Sequence, residues 1–275
     1  MKSRVALLAI ATALALAPGA RGENRKAQTI DFSPVRPKVY RDPDFDLSAS
    51  ASSGLPVSFT GTGDCAVSGS TVQILSAGKC YVTAHQPGSA EFDAAPDVDQ
   101  LIAIAKLGQR ITGRAPAAKT YLDPDFALAM SATSGLEIVF FASGDCTVDG
   151  STVHIEGAGS CSFTAHQPGD SNYLAAEIVD QEFPIVKAGQ RIAFAKLRTP
   201  YIGTDDLPLD ASASSGLPVE FGASGPCRIA GSSVRILGAG VCTVTAYQPG
   251  DRNFNAAPSV TRTFQIVLPT PTPSN

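Results

Sequence analysis

Apolar and polar residues alternate with period two through most of the chain beyond residue 27, and no stretch there shows helical spacing. Leu47, Ala49 and Ala51 alternate with Ser48, Ser50 and Ser52. Gly54 marks a turn, and Val57 and Phe59 continue the apolar face. Cys65 and Val67 come next, then a Ser68-Gly69-Ser70 turn, then Val72 and Ile74. Gly78 marks another turn before Cys80, Val82 and Ala84. With an opening strand at Gln28–Phe32 and a closing one near 97–103, the pattern predicts about seven short strands.

The pattern occurs three times with a period of 81 residues, starting at Gln28-Thr29-Ile30, Gln109-Arg110-Ile111 and Gln190-Arg191-Ile192. Such a period defines a tandem array, here with repeats at 28–106, 109–187 and 190–267. Comparing the copies separates dictated positions from free ones. Val72/Ile74 return as Val153/Ile155 and Val234/Ile236, whereas the residue between them changes from Gln73 to His154 to Arg235. Inward positions are held and outward ones drift, as one-sided burial of a strand requires. Strands of this number and spacing predict three all-β, immunoglobulin-like sandwiches; a closed barrel is the alternative. The tryptophan and wide cysteine separation of antibody domains are absent. The joints Ala105-Lys106-Leu107-Gly108 and Val186-Lys187-Ala188-Gly189 are short. They predict limited hinge motion and an elongated rod on the order of 100 Å long.

Cysteines recur with the array: Cys65/Cys80, Cys146/Cys161 and Cys227/Cys242, each pair 15 residues apart. All six fall on the inward parity of their strands. In one flat sheet with a strand between them, the two backbones would lie about 9.5 Å apart, beyond the roughly 7 Å reach of a disulfide. Pairing within each repeat therefore requires the later strand to cross to the opposite sheet. Closing such a loop is worth about 3 kcal/mol, which matters for a small core.

The compartment follows from the N-terminus. Lys2 and Arg4 precede the apolar run Val5–Ala17, and Ala20-Arg21-Gly22 offers a small-x-small cleavage site. This is the pattern of a secretory signal peptide over residues 1–22, with the mature protein secreted, periplasmic or at the cell surface. The leader holds three basic residues and no acid, so its removal makes the formal charge three units more negative than the whole chain's −4. A mildly acidic chain without a basic stripe is a poor nucleic-acid ligand. No second apolar stretch approaches spanning length, so no membrane anchor is expected after the leader is removed. The end at 268–275 alternates proline with threonine and reads as an extended tail.

Candidate chemistry is sparse. Cys80/His85 and Cys161/His166 have metal-ligand residue types, but Tyr247 replaces the histidine in the third copy and structural zinc takes four ligands. Asp42-Pro43-Asp44 and Asp123-Pro124-Asp125, with Asp205-Asp206 in the third copy, are calcium candidates that equally well begin turns. Tyr40, Tyr121, Phe92, Tyr173 and Phe254 are candidates for a glycan platform, although the last three stand at equivalent positions, which favours packing. No nucleophile elbow or metalloprotease helix occurs. Neither catalytic, cofactor-binding nor metal residues are assigned; the six cysteines are assigned as disulfides.

The composite of Ser215–Phe221, Cys227–Ser232, Ala239–Cys242, Gln248–Phe254 and Ala256–Pro258 resembles bacterial Ig-like repeats of large secreted and surface proteins, over roughly residues 28–267. The resemblance implies a non-catalytic, cofactor-free spacer or adhesion module, expected to be monomeric, whose partner is a protein or a glycan. The competing expectations are a carbohydrate-binding accessory protein and, last, an enzyme with an unrecognised site. Alkylation without reductant should leave the intact mass of the exported protein unchanged; any added alkyl group would reveal a free thiol and refute the pairing.

Overall fold

The computed structural model describes residues 25–269; the leader expected at 1–22 and the last six residues of the tail lie outside the described residues. The first repeat comprises β1 (Ile30–Phe32), β2 (Lys38–Val39), β3 (Phe45–Asp46), β4 (Ala49–Ala51), β5 (Ser58–Gly63), β6 (Cys65–Ser68), β7 (Thr71–Ile74), β8 (Gly78–His85) and β9 (Val98–Ala105). The second comprises β10 (Ile111–Gly113), β11 (Lys119–Thr120), β12 (Phe126–Ala127), β13 (Met130–Ala132), β14 (Val139–Gly144), β15 (Cys146–Asp149), β16 (Thr152–Ile155), β17 (Gly159–His166) and β18 (Val179–Val186). The third comprises β19 (Ile192–Phe194), β20 (Leu207–Pro208), β21 (Ala211–Ala213), β22 (Glu220–Ser224), β23 (Cys227–Ala230), β24 (Ser233–Ile236), β25 (Gly240–Tyr247) and β26 (Val260–Ile266).

In the first repeat β1 pairs with β4, and β3 with β7 and β7 with β6, making one layer. The other layer runs β2-β9-β8-β5, in which only β2 and β9 are parallel. The second repeat copies this order. These are the two sheets of an immunoglobulin-like sandwich. Seven strands appear as nine segments because two are broken. Pro34 and Pro37 lack amide donors and interrupt the first passage, so β1 serves one sheet and β2 the other. In the third repeat Pro200 stands where Lys38 begins β2, and the parallel strand shrinks to a single Tyr201–Val267 bridge.

Each sandwich has its own core. Phe32, Leu47, Val72, Val82, Ile102 and Ile104 fill the first. In the second, Gly113 replaces the core phenylalanine found as Phe32 and Phe194, and Phe163 replaces Val82 and Val244 from across the sandwich. Phe163 then packs against Phe140 and Phe183, with ring centroids 6.3 and 6.5 Å away. Core volume is kept while its source moves from one sheet to the other, as close packing demands. The Lys38 ammonium over the Phe45 ring, at 4.1 Å, recurs as Lys119 over Phe126 at 4.2 Å. In the third copy both partners change together, to the buried Pro200 and Leu207.

The chain changes sheets between β5 and β6. Gly63 is paired with Cys80 of β8, and two residues later Cys65 is paired with Ile74 of β7. Gly63, Gly144 and Gly225 hold φ of +93°, +91° and +97°, and a Cβ at Gly63 would overlap the Lys79 carbonyl oxygen. Only glycine fits such a position. The crossing brings each cysteine pair together, with Cα–Cα distances of 5.4, 5.4 and 5.9 Å. The disulfides bridge opposite sheets, and every cysteine is 6% exposed or less.

A second buried link joins the start of each repeat to its last long loop. Gln28 Nε2 donates to Gln86 Oε1 and to the Asp93 carbonyl, both at 2.6 Å, while Ser53 Oγ donates to Gln28 Oε1. Gln86 Oε1 also accepts the Gly88 amide at 2.6 Å. The same bonds recur through Gln109/Ser134/Gln167 and Gln190/Ser215/Gln248. Buried amides must be paired in this way, because an unmet partner costs more than the bond contributes. Gln86→Leu, which strands the Gly88 amide and one Gln28 donor, should destabilise the first repeat by about 2 kcal/mol, and Ser53→Ala by about 1 kcal/mol. Urea denaturation tests the order: a Gln86→Leu protein as stable as the parent would refute the role given to the network.

Candidate functional site

The crossing between sheets carries a polar hub as well as a disulfide. The Asp64 carboxylate accepts the Ser76 hydroxyl at 2.5 Å and the Lys79 amide at 2.8 Å. These bonds, the hydroxyl's foremost, hold its carboxyl below the ordinary value. In the second repeat Gly157 replaces Ser76, so the equivalent Asp145 keeps the Ser160 amide at 3.2 Å but has no hydroxyl donor there. Arg252 of the third repeat takes that place and forms an ion pair with Asp145 Oδ1. In the third repeat the position is Pro226, which has no carboxylate.

That ion pair belongs to a docked joint within the unit spanning residues 108–275. The loop Gln248-Pro249-Gly250-Asp251-Arg252-Asn253-Phe254 builds it. Asp251 Oδ1 accepts the amides of Asn253 and Phe254 at 2.7 and 2.8 Å, which shapes the loop. Asn253 Oδ1 then accepts the Ala158 amide at 2.9 Å, and Phe254 meets Tyr121 edge to face at 5.5 Å. The connecting residues are tied as well: Lys187 Nζ donates to the Asp251 carbonyl at 2.6 Å, and Ala188 exchanges backbone bonds with Asn253 and Asn255, both at 2.9 Å. This joint is more than a short hinge. Its strength lies in the partly buried amide bond and the ring contact, since Arg252 is 69% exposed and its ion pair is screened by solvent.

The remaining candidates fall into place around this frame. Tyr121 and Phe254 pack on each other and Tyr173 is 6% exposed, so these rings form no open platform. Asp42 and Asp123 use a carboxylate oxygen to accept the amides of Val39 and Thr120 at 2.9 and 2.8 Å, closing turns that end at the aspartate rather than begin there. Asp125 lies 2.8 Å from His154 Nδ1. Asp206 accepts a two-pronged Arg235 guanidinium at 2.8–3.1 Å, which lowers the Asp206 carboxyl and raises the guanidinium. Tyr247, in the histidine position, has its hydroxyl raised by a hydrogen bond with Glu220, its cross-strand neighbour. His85 Nδ1 lies 2.6 Å from Asp97. Among the described residues no three His, Cys, Asp or Glu side chains converge as a metal site would require.

The second repeat departs from the other copies on one face. On the outer face of the β11-β18-β17-β14 sheet, the ring of Phe141 is 60% exposed beside a groove of about 440 Å³. The groove is lined by Ser143, Ser162, Thr164, Asp180 and Glu182. Interest in aromatics that recur at equivalent positions passes over Phe141, whose counterparts are Thr60 and Gly222. The signal was an apolar residue at an outward position of a strand whose other copies are polar or bare.

No protein-family model matches the chain, and no curated protein matches it. Solved structures similar to it are cadherin-type and immunoglobulin-type repeats. Drosophila N-cadherin EC1-4 is 14% identical, covering 88% of this chain and 76% of that one, with a TM-score of 0.31. Sidekick-1 immunoglobulin domains 1-5 are 12% identical, covering 88% and 61%, at 0.28. The extracellular domains 3-5 of Drosophila OTK are 10% identical, covering 92% and 99%, at 0.27. Likenesses this distant carry nothing about activity, and the fold assignment rests on the strand order itself.

A Cβ on Gly157 would sit 3.2 Å from both Arg252 Nη2 and Asn253 Oδ1. Gly157→Val should therefore expel the loop and uncouple repeats 2 and 3. In the parent, denaturation of these two repeats is expected to be coupled; in the variant it should separate into two transitions. Coupling that survives would show that the joint does not link their stabilities.

Proposed function

We propose that this chain is an exported, non-catalytic array of bacterial Ig-like domains that serves as a spacer and adhesion module for a protein or glycan outside the cytoplasm. What supports the reading is where the copies agree. The disulfide, the glutamine–serine network and the sheet-crossing glycine recur in all three copies, and each serves durability rather than chemistry. Three buried disulfides suit an oxidising compartment, where such bonds persist. Binding is left to surfaces that vary from copy to copy. A carbohydrate-binding accessory role is the second reading, and the groove beside Phe141 favours it.

Fractionation of the producing cells together with N-terminal sequencing tests the proposal. Oxidised protein starting near residue 23 is expected outside the cytoplasm, with no turnover of chromogenic ester, peptide or glycoside substrates. Reduced protein confined to the cytoplasm, or sustained turnover of any of these substrates, would overturn it.

A further inference from the structure

We infer that the outer face of β14, β17 and β18 in the second repeat is a binding groove for an uncharged glycan chain. The inference rests on the adhesion-module reading and gives it a surface and a ligand class. Register places the lining residues in two rows across the sheet. Phe141 faces Thr164, which faces Asp180; Ser143 faces Ser162, which faces Glu182. All six lie on the outward parity of their strands. Ser162 and Thr164 form a low floor on the central strand, Phe141 is a wall on one side, and the two carboxylates are a wall on the other. Strands two apart are separated by about 9.5 Å, so the walls leave a trough about one sugar ring wide.

The chemistry of the lining selects the ligand. An exposed phenyl ring offers its face to the C–H side of a pyranose, where stacking buries apolar area without demanding a hydrogen bond. The hydroxyls of Ser143 and Ser162 both donate and accept, while the Thr164 hydroxyl and the carboxylates accept. That mixture suits a ligand whose hydroxyls also do both. Thr164 Oγ1 donates to Asp180 Oδ1 and Ser160 Oγ to Glu182 Oε1, each at 2.5 Å, which fixes both carboxylates while leaving acceptor capacity. Two carboxylates in so small a trough repel anionic polymers, which leaves uncharged sugars as the glycans that the groove accepts. A volume of about 440 Å³ falls in the range of small-ligand sites.

The other two copies show what the groove requires. In the first repeat the rows read Thr60–Thr83–Asp99 and Thr62–Tyr81–Leu101. Tyr81 occupies the floor position of Ser162, so the low floor is replaced by a bulky ring that is 50% exposed. In the third they read Gly222–Thr245–Thr261 and Ser224–Thr243–Thr263, with neither wall. The trough therefore arises from a few outward substitutions on a sheet whose inward face is unchanged, and the same substitutions can be reversed without threatening the fold.

Affinity electrophoresis of the full mature protein through gels containing neutral glucans, mannans or galactans tests the proposal, alongside an array of neutral oligosaccharides. At least one neutral glycan should retard the protein, at 0.5 M NaCl as at low salt. Phe141→Thr and Ser162→Tyr each copy the residue of the first repeat and should weaken the retardation about tenfold or more, with the thermal transition unmoved. Binding to no neutral glycan would overturn the inference. Binding untouched by both variants would overturn it too, by placing the glycan elsewhere. A lysine-rich peptide probe, followed by fluorescence anisotropy, provides the competing arm: capture of that peptide instead of glycan, lost in the same variants, would make the trough a peptide site. None of these outcomes bears on export or on the absence of turnover, so the broader proposal stands or falls separately.

Discussion

Most of what is specific to this chain depends on one short crossing, where it leaves one sheet for the other across the single residue between Gly63 and Cys65. The crossing cannot be made by an ordinary residue, because the backbone passes too close to the Lys79 carbonyl for any Cβ. Once made, it sets a cysteine of one sheet opposite a cysteine of the other at 5.4 Å between Cα atoms. It also turns the intervening aspartate toward the start of β8, where its carboxylate meets the Lys79 amide. The Ala-Gly-x-Cys element answers that carboxylate: a Cβ at Gly78 or Gly159 would overlap Asp64 or Asp145. Disulfide, polar hub and two glycines are therefore one solution in the first two copies, and the third keeps the 15-residue interval with the disulfide and glycines alone.

The disulfide's crossing of the sandwich was legible in the chain, because strand parity and spacing leave a pair of buried cysteines no other geometry. The broken first and second strands were not legible. Their breaks depend on which sheet offers a partner, and alternation of polar and apolar residues is silent about partners. Pro34 and Pro37 mark the break in the first strand only once the parallel β2–β9 pairing is known. Nor did pattern alone reveal the glutamine network. Gln28, Ser53 and Gln86 are separated by 25 and 58 residues from Gln28 outward, and polar residues at strand ends ordinarily signify turns. Their identity in all three copies was the available clue, since solvent-facing glutamines have no reason to be retained while neighbours drift.

Substitutions between copies are compensated rather than free. Gly113 removes a core phenylalanine and Phe163 returns its volume from the opposite sheet. Lysine and phenylalanine at 38 and 45 give way together to Pro200 and Leu207. Pro116 offers no amide where Val35 offers one to Gln100 Oε1 at 3.0 Å, and the equivalent Gln181 Oε1 is consequently left buried without a partner. The last case shows the limit of compensation: the second repeat keeps the glutamine but loses a bond worth about 1 kcal/mol. Such a residual defect is tolerable in a domain that a disulfide already holds.

The same comparison separates stability from function on the surface. An array that reuses one interior three times can alter the outward residues of a single copy without endangering the others, because each domain has its own core. The joint between repeats 2 and 3 draws on this freedom when Gly157 and Arg252 replace Ser76 and Ala90, and Asp145 turns from a hydroxyl to a guanidinium. The outer face of the second repeat draws on it again, with Phe141 and Glu182 raised around Ser162. Residues common to the copies accordingly answer how the fold endures. Function in such a chain is to be sought at outward positions where one copy breaks ranks and no packing debt explains the change.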